Sequence, residues 1–160
     1  MKREQFVSPY VIYDDDSELS EADSTLLRRA HEAALDAYCP YSRFAVGAAV
    51  RLANGEIVTG CNIENAAYPS GLCAERVALF GALARYPKVA IEAIAITAHS
   101  ETTVIDEPIA PCGSCRQVMV EVEQQSGCPL HILCQGEKGI VMAFDGIETL
   151  MPFIFVDKFL

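Results

Sequence analysis

Basic residues are scarce in this sequence: 12 Lys and Arg stand against 22 Asp and Glu, a net charge of -10. A protein that tracks long nucleic acid needs a cationic stripe, because phosphate contacts supply most of the affinity. A polynucleotide partner is therefore not expected. Also missing is any apolar run approaching the roughly 18 residues that a membrane span requires. The stretch from Met1 to Tyr10 is polar and charged, without the apolar centre of a secretory signal. The expectation is a soluble, cytoplasmic protein with no membrane partner. No internal repeat and no low-complexity tract is visible. The seven cysteines are odd in number. In a reducing compartment they argue against a disulfide framework, so metal binding or catalysis is the better reading of any cluster.

What the chain does have is 160 residues, half of them hydrophobic, which fits one domain with a substantial core. Residues 1–23 read as a peripheral N-terminal extension whose run Asp14-Asp15-Asp16 is a solvated loop. Residues 24–160 read as a single domain. Ser24 is the expected N-cap of a first helix, with Leu27, Ala30, Ala34 and Ala37 at helical spacing and a stop before Pro40. Phe44 to Leu52 and Glu56 to Cys61 read as strands joined by a hairpin turn at Asn54-Gly55. Cys73 to Arg85 and Cys112 to Glu123 read as two further helices. Ile91 to Ala98, Leu130 to Cys134 and Ile140 to Phe144 read as strands. The tail carries Phe153, Phe155 and Phe159. Strands alternating with helices after an opening hairpin point to an α/β architecture, a mixed sheet between helix layers.

Two motifs carry chemistry, Cys73-Ala74-Glu75 and Pro111-Cys112-Gly113-Ser114-Cys115, each at an expected helix N-terminus. Free N–H groups and positive partial charge there favour a thiolate, the form that binds zinc. One helical turn puts Cys112 and Cys115 on one side, and Cys73 brings a third sulfur. Three protein ligands leave zinc's fourth position for water, the catalytic rather than the structural arrangement. Glu75 need not be a ligand and can move protons beside the metal. A CxxC pair alone also fits a redox pair or half of a structural site, which keeps a non-catalytic zinc or redox-thiol protein open. Glu75 weighs against that reading, since a purely structural site needs no carboxylate. The combination C-x-E with P-C-x-x-C fits the signature of zinc deaminases. His99-Ser100-Glu101 also reads H-x-E, but it follows a strand and leaves no room for a helix and strand before Pro111. His31 and His131 take structural roles, and Cys39, Cys61, Cys128 and Cys134 read as small buried residues.

These motifs do not stand alone. Cys39-Pro40-Tyr41-Ser42, Phe44-Ala45-Val46-Gly47-Ala48-Ala49 and Gly60-Cys61-Asn62-Ile63-Glu64-Asn65-Ala66-Ala67-Tyr68 precede Cys73-Ala74-Glu75-Arg76 and Pro111-Cys112-Gly113-Ser114-Cys115-Arg116-Gln117 in order. From about Tyr38 to Phe155 the chain resembles the cytidine deaminase family, in its small homotetrameric, three-cysteine form. The resemblance implies a three-layer α/β/α sandwich on a mixed five-stranded sheet and one Zn2+ per chain, held by Cys73, Cys112 and Cys115. It implies Glu75 as proton shuttle, Asn62 and Glu64 on a ribose hydroxyl, and Phe44 against the nucleoside. It further implies the Ala74 backbone on the pyrimidine carbonyl, Arg76 donating to a ligand sulfur, and Tyr68 and Phe155 reaching into a neighbouring subunit's site. The implied reaction is hydrolytic deamination of cytidine and deoxycytidine, with release of ammonia. A modified cytosine nucleoside or a nucleoside antibiotic is the alternative substrate. Phe44 and Phe155 also admit a reading as plain core, and Asn62 and Glu64 as a turn and a solvated charge. In an extended segment alternate side chains point the same way, so Asn62 and Glu64 are expected to face the pocket and Ile63 the core.

Overall fold

Alternation along the strands sorts the core into two unequal faces. The computed structural model describes residues 1–156 and residue 158; Phe159 lies outside the described residues. The strands are β1 (Val11–Tyr13), β2 (Phe44–Leu52), β3 (Ile57–Cys61), β4 (Ile91–Ser100), β5 (His131–Gln135) and β6 (Val141–Asp145). The helices are α1 (Glu21–Ala34), α2 (Ala74–Arg85) and α3 (Gly113–Ser126). On β4, Ala93 and Ala95 face α1, where they join Leu26, Leu27 and Ala30. Ile94 and Ile96, between and beyond them, face the other way and pack with Leu79 of α2 and Met119 of α3. On β5, Leu133 goes with the α1 side and Ile132 with the α2/α3 side. The sandwich therefore has α1 on one face and α2 and α3 on the other.

The alanine-rich face lets α1 lie very close to the sheet. A Cβ on Gly47 of β2 would come 2.0 Å from the Ala30 carbonyl oxygen, so only glycine fits there. Gly60 of β3 does the same for α2, where a Cβ would meet the Ala78 amide at 2.5 Å and the Ala74 carbonyl at 2.9 Å. That close approach seats the first turns of α2 against the end of β3.

The strand order is β1-β6-β5-β4-β2-β3. All neighbours are antiparallel except β4 and β5, which run parallel with α3 between them in sequence. The sheet is thus mixed, as expected, but it has six strands and not five. The additional strand is Val11–Tyr13, which pairs with Val141–Ala143 on the β6 edge. Three residues show no period that a sequence can reveal, and this strand exists only through its pairing. Helix α1 starts earlier than expected. Its N-cap is Ser20, whose hydroxyl accepts from the Asp23 amide at 3.2 Å, and it ends at Ala34, well short of Pro40. At the far end of α3, Gly127 takes φ 69°, the left-handed C-cap that closes a helix. The strand ends of β5 and β6 lie one residue beyond the expected ones. No helix among the described residues is long and apolar enough to cross a membrane.

Candidate active site

Two helix N-termini meet at the site. Cys73 is the N-cap of α2 and Cys112 the N-cap of α3, and neither thiol caps its own helix. Their sulfurs lie 4.0 Å apart. Cys115, one turn into α3 and fully buried, sits 3.5 Å from the Cys112 sulfur. All three sulfurs fall within 4.8 Å of one another. A tetrahedral zinc with Zn–S near 2.3 Å holds its sulfurs ~3.8 Å apart, so the observed spacings bracket the required one. None of the seven cysteines is in a disulfide. The donor set fits one zinc ion.

The surroundings treat the sulfurs differently. Arg76 Nη2 donates to the Cys73 sulfur at 3.4 Å, and that bond is the main reason its guanidinium pKa is raised. The Arg76 Nε is buried without a hydrogen-bond partner among the described residues. Burial pushes the Cys112 thiol up, but hydrogen bonds from the Cys115 backbone and thiol, the Cys73 thiol and the Ser114 backbone outweigh it, and the net shift is downward. Burial, followed by the charge of Glu75, pushes the Cys115 thiol strongly up; a dication on the three sulfurs reverses that direction.

Glu75 is 5% exposed, unusually low for a carboxylate. It is the second residue of α2, so the positive helix end lies beside it. It lines one cavity of about 810 Å³ together with Cys73, Cys112, Arg76, Phe44, Asn62, Glu64 and Tyr68. Ala74 is fully buried at the first position of α2, where an amide has no acceptor within its own helix.

The loop after β3 is pinned to this helix end. Ile63 and Leu72 exchange two backbone bonds of 3.0 Å, and the Tyr38 amide donates to the Asn62 carbonyl at 3.1 Å. Asn62 ties β2 to this loop: Oδ1 accepts from the Val46 amide at 2.7 Å and Nδ2 donates to the Phe44 carbonyl at 3.0 Å. One Nδ2 hydrogen is left for the cavity. Glu64 Oε2 accepts from the amides of Tyr41 at 2.9 Å and Ser42 at 3.2 Å. The Ser42 side chain, with these two amides behind it, holds the Glu64 carboxyl below its usual range. Ile63 departs from the expected pattern. It is 44% exposed and lines the same cavity, because this segment makes only isolated bridges and has no sheet face to turn inward.

Among the expected site residues, Ala74 and Cys115 lie beside lining residues without lining the cavity themselves, and Phe155, expected in a neighbouring subunit's site, lies away from it. Phe155 is 56% exposed and lines a second cavity with Phe6, Met151 and Phe153. Tyr68, 77% exposed, stands at the rim of the first, edge-on to Tyr41 with ring centroids 6.2 Å apart. Sequence reasoning gave no role to Tyr41 and Ser42, which fix Glu64, although both belong to a motif it had marked. Ile109 and Ala110 also line the cavity; they carry no signal beyond preceding Pro111. His99, in the competing H-x-E, sits at the end of β4 with Nδ1 3.2 Å from Glu137. His31 and His131 bond to Gln135 at 2.8 Å and Asp145 at 2.6 Å. Of the four remaining cysteines only Cys134 is fully buried.

Comparison with known proteins gives the same picture. Residues 20–127 match the family described as the cytidine and deoxycytidylate deaminase zinc-binding region. A cytidine deaminase of Halalkalibacterium halodurans is 45% identical over 97 residues, covering 61% of this chain and 69% of that one. One from Mycobacterium tuberculosis is 43% identical over 105 residues, covering 64% and 74%. The crystal structure of cytidine deaminase from Burkholderia pseudomallei matches with a TM-score of 0.71 at 39% identity, over 82% of this chain and 97% of that one. The Mycobacterium tuberculosis structure matches with a TM-score of 0.62 at 34% identity, over 82% and 95%. With three sulfurs spaced for zinc and a buried carboxylate beside them, this chain belongs to the cytidine and deoxycytidylate deaminase family.

Proposed function

We propose that the chain is a cytidine deaminase that converts cytidine and deoxycytidine to uridine and deoxyuridine with release of ammonia. The observation that carries this reading is the position of Glu75, buried in one cavity with Cys73 and Cys112 and with Asn62 and Glu64 on its wall. Zinc held by the three sulfurs supplies the Lewis acidity that makes water nucleophilic near neutral pH. Glu75 takes a proton from the attacking water and hands it to N3 of cytosine, which makes C4 more electrophilic. The C4–O bond forms, Glu75 takes the remaining proton of the new C4 hydroxyl and delivers it to the amino group, and the C4–N bond breaks as the C4 carbonyl forms, giving ammonia. One water is consumed for each ammonia released. The Ala74 amide donates to the pyrimidine carbonyl, and Phe44, half-buried on the cavity wall, packs against the nucleoside. Arg76 holds the Cys73 sulfur and offsets the negative charge of three thiolates.

The Asn62 amide and the Glu64 carboxylate hold the 3′-hydroxyl, so both sugars are accepted. A site that bonds a hydroxyl rejects a substrate lacking it, because its polar groups are left unpaired. The Glu64 charge also repels a phosphate. Small free nucleosides are therefore the substrates. Exposed Tyr68 and Phe155 support a homotetramer in which each serves a neighbour's cavity, since clustered exposed aromatics mark interaction surfaces. Seven thiols without a disulfide support a reducing, cytoplasmic setting.

The test is ammonia release from cytidine, deoxycytidine, cytosine, cytidine monophosphate, adenosine and guanine, with zinc content measured alongside. The two cytosine nucleosides are expected to turn over well and the rest poorly. Cytosine or the monophosphate turning over as fast as cytidine contradicts the reading of the pocket.

A further inference from the structure

The family match begins at residue 20, yet residues before it meet β6 and the C-terminal segment that follows it. β1 pairs with β6, the strand that leads into that segment. The Ser8 hydroxyl donates to the Thr149 carbonyl. The Tyr10 ring lies 5.9 Å from that of Phe144, at the end of β6. Phe6 lines the second cavity, about 630 Å³, together with Met151, Phe153 and Phe155. Helix α3 holds the same segment. Arg116, the residue after Cys115, donates from Nη1 to the Leu150 carbonyl at 2.5 Å, and Gln117 Nε2 donates to the Phe155 carbonyl at 3.0 Å.

We propose that residues 6–13 form a strap that positions the C-terminal segment, and through it Phe155, for a neighbouring subunit's nucleoside pocket. The proposal rests on the oligomeric deaminase reading above. The argument is one of restraint. Ordering a chain end costs backbone entropy that its contacts must offset. Helix α3 supplies two side-chain bonds to this segment, and the strap adds a hydroxyl bond and an aromatic ring on the cavity that Phe155 lines. Phe6 and Ser8 are thus positioning residues: they touch no substrate and act through the tail.

The test compares wild-type protein, Phe6→Ala/Ser8→Ala, Phe6→Leu/Ser8→Thr and a chain lacking residues 1–10, all as assembled, zinc-loaded enzymes. Two quantities are read: amide exchange over residues 147–156, and KM and kcat for cytidine. The alanine pair and the deletion are expected to speed exchange there and to raise KM roughly fivefold, with kcat and zinc content little changed, the pattern of lost binding and not lost chemistry. The Leu/Thr pair, which keeps bulk and hydroxyl, is expected to restore both. Unchanged exchange, or faster exchange with unchanged KM, overturns the strap. A wild-type enzyme inert on cytidine overturns the deaminase reading instead, so the two failures are distinct.

Discussion

The two ends of the nucleoside pocket are built differently. At the deep end, Cys73, Glu75, Cys112 and Cys115 come from two helix N-termini of one chain, the three sulfurs within 4.8 Å of one another and Glu75 and Cys115 buried. At the outer end, Tyr68 is mostly exposed, and Phe155, the other aromatic expected to serve a nucleoside pocket, is exposed on a separate cavity of the same chain. The chemistry is thus assembled inside one chain, while the enclosure of the substrate is left unfinished. Bond-making needs groups fixed to fractions of an ångström, which a packed core supplies. In the proposed homotetramer, exposed aromatics of a second copy complete the wall.

If this division is right, damage at the deep end ends the reaction and damage at the rim weakens binding. Cys112→Ala is expected to show the largest effect: zinc is lost together with all measurable ammonia release, read by metal analysis and activity on the same sample. Removing residues 151–160 comes next. It should leave zinc in place but lower the assembly state in sedimentation and cut kcat/KM for cytidine about 30-fold or more, since a central interface aromatic contributes at least ~2 kcal/mol. A monomer that turns over cytidine at full rate would erase the distinction between the two ends. Glu64→Ala, on the wall between them, should lower kcat/KM for cytidine about tenfold, the effect of losing a charged hydrogen bond, and should narrow the preference over cytosine. Arg76→Gln is expected to be the mildest, slowing kcat by a few fold while unfolding temperature stays unchanged, because the bond to the Cys73 sulfur and the charge that offsets the thiolates are lost while the three ligands and Glu75 remain.

The same division governs how far the sequence could be read. The deep end is written locally: spacing within one helical turn places Cys112 beside Cys115, and Cys73 and Glu75 share the first turn of α2. Of the long strands, β2 has the expected boundaries, and β4 starts as expected at Ile91 but runs past Ala98 to Ser100. What escaped depends on distant partners. Val11–Tyr13 becomes a strand only because β6 offers an edge. One miss is local instead: Ser20 in place of Ser24 opens α1 because its hydroxyl meets the Asp23 amide, and either serine satisfies the same capping rule. Ile63 was assigned to the core by a period-2 rule that needs a continuous strand, and the chain there has only isolated bridges. The tethering of Glu64 by the Tyr41 and Ser42 amides spans more than twenty residues and leaves no periodic trace.

The central claim is that one chain supplies both the metal site and the proton carrier, as separate functions of neighbouring residues. It is tested most directly by Glu75→Ala, with zinc content and cytidine turnover measured on one preparation. The account predicts a full complement of zinc, because the three sulfurs are untouched. It predicts turnover lowered by about 10²- to 10⁴-fold, the usual contribution of a positioned acid–base group. Turnover at the wild-type rate with zinc retained would contradict it.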